Sequence, residues 1–494
     1  MKLKIKRLFI ITGKPVCMIH EKTAKNLSLH VGDRVLIKKN SKEKIISTID
    51  IVKGLIKPGE IGISEEIFKI LGLKNKDAVS VELSERPRSI ELIKKKLSGE
   101  KLSKDEINEI VQNISNNSLT EVEVAFFVSA VYTHELSIEE TLWLTEAMVN
   151  SGNRLNLLGK VVDKHCIGGV AGNRTTPIIV SICAEKGLIM PKTSSRAITS
   201  AAGTADTIET IAKVDFSIDE IKKIIKKTNA CFVWGGTLGL APVDDKIIKI
   251  EKIANIDSYS QLLASILSKK ISVGSKYLLI DIPFGNSAKV NKRQAKKLKK
   301  SFIKLARKFK ISIDVELTDG SEPIGNGVGP ALEIKDVIKV LRREPTAPKD
   351  LEEKSIYLAG KLLELSEVAK KGEGIKIARE ILDSGKAFKK FQDIINAQNG
   401  KINIIKKAEY LYPIKSNKKL KILHIDNKFI NSLARKAGCP EDKFAGVYLD
   451  KKRGDTVEKN EVYLTIHSES KEKLKNAINF YEKNYKNNIL FDRT

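Results

Sequence analysis

Two stretches of this chain concentrate residue types that bind anions. The first runs Lys164-His165-Cys166-Ile167-Gly168-Gly169-Val170-Ala171-Gly172-Asn173-Arg174-Thr175-Thr176. Its glycines let backbone amides crowd around an anion, a helix following it adds a positive N-terminal end, and Lys164 supplies a full charge. That is the chemistry of a phosphate cradle, although no GxxxxGK[ST] pattern is present and a glycine-rich turn by itself serves chain shape as readily. The second stretch, residues 193–210, reads Thr-Ser-Ser-Arg-Ala-Ile-Thr-Ser-Ala-Ala-Gly-Thr-Ala-Asp-Thr-Ile-Glu-Thr. Eight hydroxyl side chains and one arginine among small residues offer many donors to phosphate and ribose oxygens with little bulk. Thr207 and Thr210 read better as cap and turn residues.

Further along, Ser265 and Lys269 are four apart, so on a helix they share one face, and Asp257 at the start of that helix reads as its N-cap. Two other patterns carry less. Gly325-Asn-Gly327-Val-Gly329-Pro330 imitates a dinucleotide loop, but its third glycine comes too early and a proline follows at once. The neighbouring Asp244 and Asp245 imitate a metal pair, yet adjacent carboxylates rarely converge on one ion. The chain is therefore expected to need no metal and no cofactor.

The elements that must hold these stretches follow from periodicity. Residues 1–84 read as a small β-barrel, with strands over Lys2–Ile10, Arg34–Lys38, Lys44–Val52 and Ala78–Leu83. One helix interrupts it, capped by Ser64, striped by Ile67, Phe68, Ile70 and Leu71, and stopped by Gly72. After a linker at 84–88, three helices open with capping boxes: Ser103 with Glu106, Thr120 with Glu123, Ser137 with Glu140. They make a helical lobe over 90–155, which 242–272 joins. Residues 156–241 and 273–400 read as an α/β lobe whose mixed sheet is flanked by helices, with β-rich segments at Thr176–Ile182, Tyr277–Ile282 and Ile311–Leu317. Residues 415–494 form a small C-terminal α+β domain, with strands Lys419–Ile425 and Glu461–His467 and helices Asn427–Ala437 and Lys471–Tyr485.

Composition narrows the class. The 494 residues suffice for several cores, and Lys+Arg exceeds Asp+Glu by 88 − 61 = 27, an excess that attracts phosphates. Ten basic residues and no acid between 290 and 310 invite a nucleic-acid reading. However, Leu298, Phe302, Leu305 and Phe309 recur there at helical spacing, as in a solvated helix with one buried face. The five cysteines lack disulfide or zinc-finger spacing, and no long uncharged apolar run or signal-peptide core occurs, so the expected setting is the cytoplasm, with no membrane and no nucleic acid as partner.

Taken in order, Lys164–Thr176, Ser194–Thr210 and Leu262–Lys270 resemble the thymidine/pyrimidine-nucleoside phosphorylase family and, within it, the archaeal AMP phosphorylases. The resemblance extends over essentially the whole chain, including an N-terminal barrel that the shorter thymidine phosphorylases lack. It implies an α/β fold of nucleoside phosphorylase type, with a helical lobe and an α/β lobe, and phosphorolysis of nucleoside 5′-monophosphates, AMP above all. It also implies a homodimer or larger homo-oligomer.

By position, it puts inorganic phosphate on Lys164, Thr175 and Ser194, with Thr204 between phosphate and AMP, and Cys166 where pyrimidine enzymes carry serine. Gly169 and the run Ser195, Arg196, Ala197, Ile198, Thr199, Ser200 resemble the nucleotide loop, with Ala197 and Ile198 acting through amides. Lys289 resembles the lysine for the nucleotide phosphate, Ser265 and Lys269 the base-facing pair, and Asp257 a proton donor. His165 stands at the family's histidine, touching ribose or base, or merely packed. Ile250 stands where pyrimidine enzymes have arginine, which counts against the pyrimidine-nucleoside alternative. A phosphoribosyltransferase would want a magnesium pyrophosphate site, and the non-enzyme alternative is an RNA-binding protein.

Overall fold

The computed structural model describes residues 1–75, 77–197, 200–254, 256–402 and 405–492. The chain forms two compact units, Met1–Gly152 with Ala241–Ser265, and Asn153–Leu240 with Ile266–Thr494. Among the described residues no helix is long and apolar enough to cross a membrane.

The first unit begins with six strands: β1 (Lys2–Arg7), β2 (Val16–His20), β3 (Arg34–Lys38), β4 (Lys44–Val52), β5 (Glu60–Ile63) and β6 (Ala78–Leu83). They close into a barrel in the order β1-β5-β2-β4-β3-β6, so no strand edge is left open. Alternation does the folding: Val35, Ile37, Ile45 and Ile49 all point inward, each burial stabilising by roughly 1.5–3 kcal/mol. β2, β5 and the short helix Glu21–Asn26, of four to six residues each, lie outside the elements expected from the sequence. Ser64 precedes the helix Glu65–Ile70 but spends its hydroxyl on the Val16 amide at 3.3 Å instead of capping, and Ile70 is exposed.

The helical part contains all three capping boxes, opening Lys104–Ser115, Glu121–Thr133 and Ile138–Asn150. Glu140 does more than cap. It also accepts from the Leu102 amide at 2.9 Å and pairs with buried Lys96 at 3.1 Å. A fourth helix, Ser89–Leu97, goes unexpected because Arg88 before it makes no side-chain cap bond. Pro242–Ala254 adds Val243, Ile247 and Ile250 to the same apolar core.

The second unit is built on β7 (Val162–Cys166), β8 (Met190–Ser194), β9 (Ala230–Trp234), β10 (Tyr277–Phe284) and β11 (Ser312–Asp319). The order is β11-β10-β7, then β8-β9, joined by a bridge between Val161 and Ile189. Every described pairing among these five is parallel. Thr176–Ile182, expected as β-rich, is instead part of the helix Thr176–Glu185. Pro177 sits in its first turn, and Thr176–Ala184 are all buried; a helix apolar on every side shows no 3.6 period to distinguish it from a buried strand. The basic helix Lys292–Lys308 buries Leu298, Phe302 and Leu305, the stripe read from the sequence.

The C-terminal part holds β13 (Tyr410–Lys415), β14 (Leu420–Ile425), β15 (Gly446–Leu449), β16 (Thr456–Val457), β17 (Val462–Ser468) and β18 (Ile489–Asp492), with helices Asn427–Ala437 and Lys471–Asn488. It is tied to the α/β part by β12 (Gly327–Val328), which pairs antiparallel with β15. The Gly325–Gly329 run thus serves a strand and the start of helix Pro330–Leu341, and Asp336 accepts from the Asn326 and Gly327 amides at 2.7 Å.

Candidate active site

In parallel sheets, ligands gather beyond the carboxyl ends of the strands. Lys164, His165 and Cys166 end β7, Ser194 ends β8, and the loop with Lys289 follows β10. Lys164 is buried, donates to Thr175 Oγ1 at 2.9 Å and lies 3.8 Å from Asp281. Burial lowers its pKa and Asp281 opposes the shift, so the carboxylate keeps an otherwise prohibitive buried ammonium in place. Asp281 is itself held below its ordinary range: burial works to raise it, but Lys354 at 3.3 Å and Lys164 outweigh that.

Two glycines of the Lys164–Thr176 loop stand where a side chain would not fit. At Gly169, φ is +91°, and a Cβ there would fall 2.6 Å from the Lys289 amide nitrogen. At Gly172, φ is +67°, and a Cβ would fall 2.2 Å from the Ile324 carbonyl oxygen. The first close approach brings the glycine-rich loop against the lysine expected to hold the nucleotide phosphate. Cys166 accepts from Asn173 Nδ2 at 3.5 Å, and burial pushes its thiol up to about 11, so it is present as a neutral thiol.

Beneath the loop lies a network the sequence reading missed. Asp163 accepts from Lys192 Nζ at 3.0 Å and from Lys270 Nζ at 2.6 Å, and Lys192 also donates to the Lys164 carbonyl at 2.9 Å. The signal was present: lysine at 192 interrupts an otherwise compact strand, and Asp163 precedes Lys164 directly. Burial, then the charges of Lys270, Lys192, Lys164 and Lys269, push His165 well below its ordinary value, so it meets a ligand as a neutral imidazole.

The second loop is more heavily committed than its residue types imply. Arg196 forks onto Glu209 at 2.6 and 2.9 Å and lies over the Trp234 ring at 4.8 Å. The Ala197 amide, expected to face nucleotide, donates instead to Asp206 at 2.7 Å, because that carboxylate also takes the Gly203 amide and folds the loop on itself. Ser195 is exposed, Ser200 donates to the Ala202 carbonyl at 2.9 Å, and Ile198 and Thr199 lie outside the described residues.

Arg174, quoted in the first motif without a role, clamps the two loops. It donates to Thr204 Oγ1, the Ala202 carbonyl and Glu333, each at 2.7 Å. Thr175 and Thr204 thus each accept from a cation.

The helix Tyr259–Ser272 corrects the capping expectation. Ser258, not Asp257, accepts from the Gln261 amide at 3.2 Å, and Glu135 accepts from the Tyr259 and Ser260 amides at 2.9 and 3.0 Å. Asp257 is exposed one residue earlier. Ser265 donates to Asp244 at 2.8 Å, which gives that acid a partner other than a metal. Lys269, half-buried, follows Ser265 by one helical turn, and Ile250 packs into the apolar core.

Three family profiles match the chain: "Glycosyl transferase family, helical bundle domain" over residues 90–152, "Glycosyl transferase family, a/b domain" over 158–388, and "Pyrimidine nucleoside phosphorylase C-terminal domain" over 421–488. An AMP phosphorylase of Thermococcus sibiricus is 44% identical over 97% of this chain and 96% of its own length. The chain belongs to the AMP and pyrimidine-nucleoside phosphorylase family. An AMP phosphorylase 1 of Archaeoglobus fulgidus is 41% identical over 97% and 95% of the two chains, and a putative thymidine phosphorylase of Legionella pneumophila is 43% identical over 88% and 84%. The fold is similar to that of anthranilate phosphoribosyltransferase from Thermus thermophilus, with TM-score 0.52 and 17% identity over 62% of this chain and 99% of that one. Family membership confirms the expected helical bundle, α/β domain and C-terminal domain.

Proposed function

We propose that this chain cleaves AMP with inorganic phosphate to adenine and ribose 1,5-bisphosphate. The bond from C1′ to the base nitrogen breaks, and one from C1′ to a phosphate oxygen forms. The observation that supports this reading is the approach of Gly169 to the Lys289 backbone, which brings the glycine-rich loop against the loop that carries a second lysine. Two neighbouring anion positions suit a product with phosphates at both ends of one sugar. Relatives named AMP phosphorylases, 40–44% identical over nearly the whole chain, support the same substrate.

As the glycosidic bond loosens, C1′ gains oxocarbenium character and the base departs with negative charge. Lys164, Thr175, Ser194 and Thr204 hold the anionic nucleophile, the first through charge and the hydroxyls through donated hydrogens. Lys289 takes the 5′-phosphate. Arg196 acts through the loop it ties to Glu209, while Gly169, Ser195 and Ser200 shape the nucleotide position. Asp257 protonates the leaving adenine, and Ser265 and Lys269 face the base. Ile250, packed in the core, offers no donor to a pyrimidine carbonyl. The protein works in the cytoplasm as a homodimer or larger homo-oligomer in this reading.

A product assay tests it. Adenine release from AMP should require phosphate and far exceed cleavage of adenosine or thymidine; equal rates on thymidine would reject AMP as the preferred substrate and favour a pyrimidine-nucleoside phosphorylase.

A further inference from the structure

The helix Asn427–Ala437 carries two buried amides one turn apart. Asn427 Oδ1 accepts from the Ala171 amide, in the middle of the glycine-rich loop, at 2.9 Å. Its Nδ2 donates to Ser287 Oγ at 2.8 Å and to the Gly320 carbonyl at 2.9 Å, and Ser287 lies two residues before Lys289. Asn431 Oδ1 accepts from the Ala201 amide, in the hydroxyl-rich loop, at 3.0 Å. Spacing of four residues puts both amides on one helix face. Ala171 and Ala201 are themselves fully buried in the apolar core of the C-terminal domain, alongside Phe429, Ile430 and Leu433 of the same helix.

We propose that the C-terminal domain is part of the catalytic apparatus, with Asn427 and Asn431 as positioning residues that fix the separation of the two substrate loops. Neither touches substrate. Asn427 registers the phosphate cradle against the Lys289 loop, and Asn431 sets the hydroxyl loop from the same rigid helix. A loop backbone in a turn has no ladder to hold it, so a side-chain acceptor from a packed helix supplies the missing constraint. Because a displacement of about 1 Å can cost on the order of 100-fold in rate, two such bonds are enough to govern activity. The proposal rests on the phosphorylase reading for its kinetic test but not for its structural one.

The test compares Asn431→Leu, Asn431→Asp and Asn427→Leu with the unaltered full chain. Asn431→Leu removes the acceptor at nearly constant volume, and Asn431→Asp restores it. The expected results for Asn431→Leu are a retained thermal transition, kcat/KM on AMP lower by about 10- to 100-fold, and recovery to within about threefold in Asn431→Asp. Asn427→Leu should weaken phosphate and AMP together, because it frees both the cradle and the Lys289 loop. Hydrogen exchange of peptides containing Ala171 and Ala201 should quicken in the respective leucine variants by more than any fall in global stability accounts for. Unchanged kcat/KM in a folded Asn431→Leu protein overturns the proposal, as does an equal loss in Asn431→Leu and Asn431→Asp. If the unaltered chain does not cleave AMP, the function reading fails alone. The exchange arm then decides the positioning role, with faster exchange supporting it and unchanged exchange rejecting it.

Discussion

Lys164 is buried, donates to Thr175 at 2.9 Å and lies 3.8 Å from Asp281, whereas Asp257 stands exposed ahead of a helix already capped by Ser258 and Glu135. The first region is wired into the fold before any ligand arrives; the second carries a carboxylate that the helix start does not need as its cap. This difference teaches where activity and stability separate. Substitutions in the glycine-rich loop should disturb both, because in the proposed function the contacts that hold the chain also hold the anion. Substitution of Asp257 should disturb turnover alone.

The largest effect is expected at Asp257. Asp257→Asn should leave the thermal transition in place, since Ser258 keeps the cap, and reduce turnover by ~100- to 10,000-fold, the usual worth of a general acid. A substrate with a base already positively charged, such as 7-methylated AMP, should recover much of that loss. Equal impairment on both substrates would break the contrast and move the acid role elsewhere. Neutral His165, with its proton held so weakly, would be a poor replacement.

Next comes Lys164→Met. Loss of a charge-assisted contact of ~1.5–3 kcal/mol should raise the KM for phosphate roughly 10- to 150-fold while that for AMP changes little. The melting temperature should fall as well, because Asp281 keeps Lys354 as a partner but loses Lys164. If both KM values rise together, Lys164 holds the chain's shape rather than the nucleophile.

A smaller effect is expected from Gly169→Ala. Its φ of +91° and the 2.6 Å approach to the Lys289 nitrogen should cost ~1–3 kcal/mol of strain, lowering the melting temperature and raising the KM for AMP more than that for phosphate. Unchanged values for both would separate the cradle from the Lys289 loop.

The smallest effect is one of pH. His165 is held below its ordinary value by burial and by lysines 270, 192, 164 and 269, so below about pH 6.5 the unfolded chain binds more protons than the folded one. Stability is therefore full above that pH and is lost as pH falls through it. His165→Gln should make the drop in melting temperature between about pH 7 and pH 5 shallower, and an unaltered slope would mean that His165 charges freely in the folded chain.

Much of this was legible in the residues. Capping boxes at Ser103, Thr120 and Ser137 announced three helices, because a cap is a local bond made within four residues. The stripe of Leu298, Phe302 and Leu305 announced a buried face and so argued against the nucleic-acid reading of the basic run. The helix Thr176–Glu185 was not legible, since uniform burial erases the periodicity on which such readings depend. Nor were β2 and β5, whose short spans pair with partners far along the chain.

The loops divide along the same line. Their locations and their small, polar composition are properties of consecutive residues, so Lys164–Thr176 and 193–210 stand out in the sequence alone. Which donors face outward is decided by residues brought in from elsewhere. Asp206 claims the Ala197 amide, Arg174 polarises Thr204, and Asn427 and Asn431, more than two hundred residues away, hold Ala171 and Ala201. Sequence determined where the small, hydroxyl-bearing and basic residues collect, because composition is a property of consecutive residues. Only the tertiary structure decided how their donors are spent, because every buried polar group must find a partner and those partners lie across the fold.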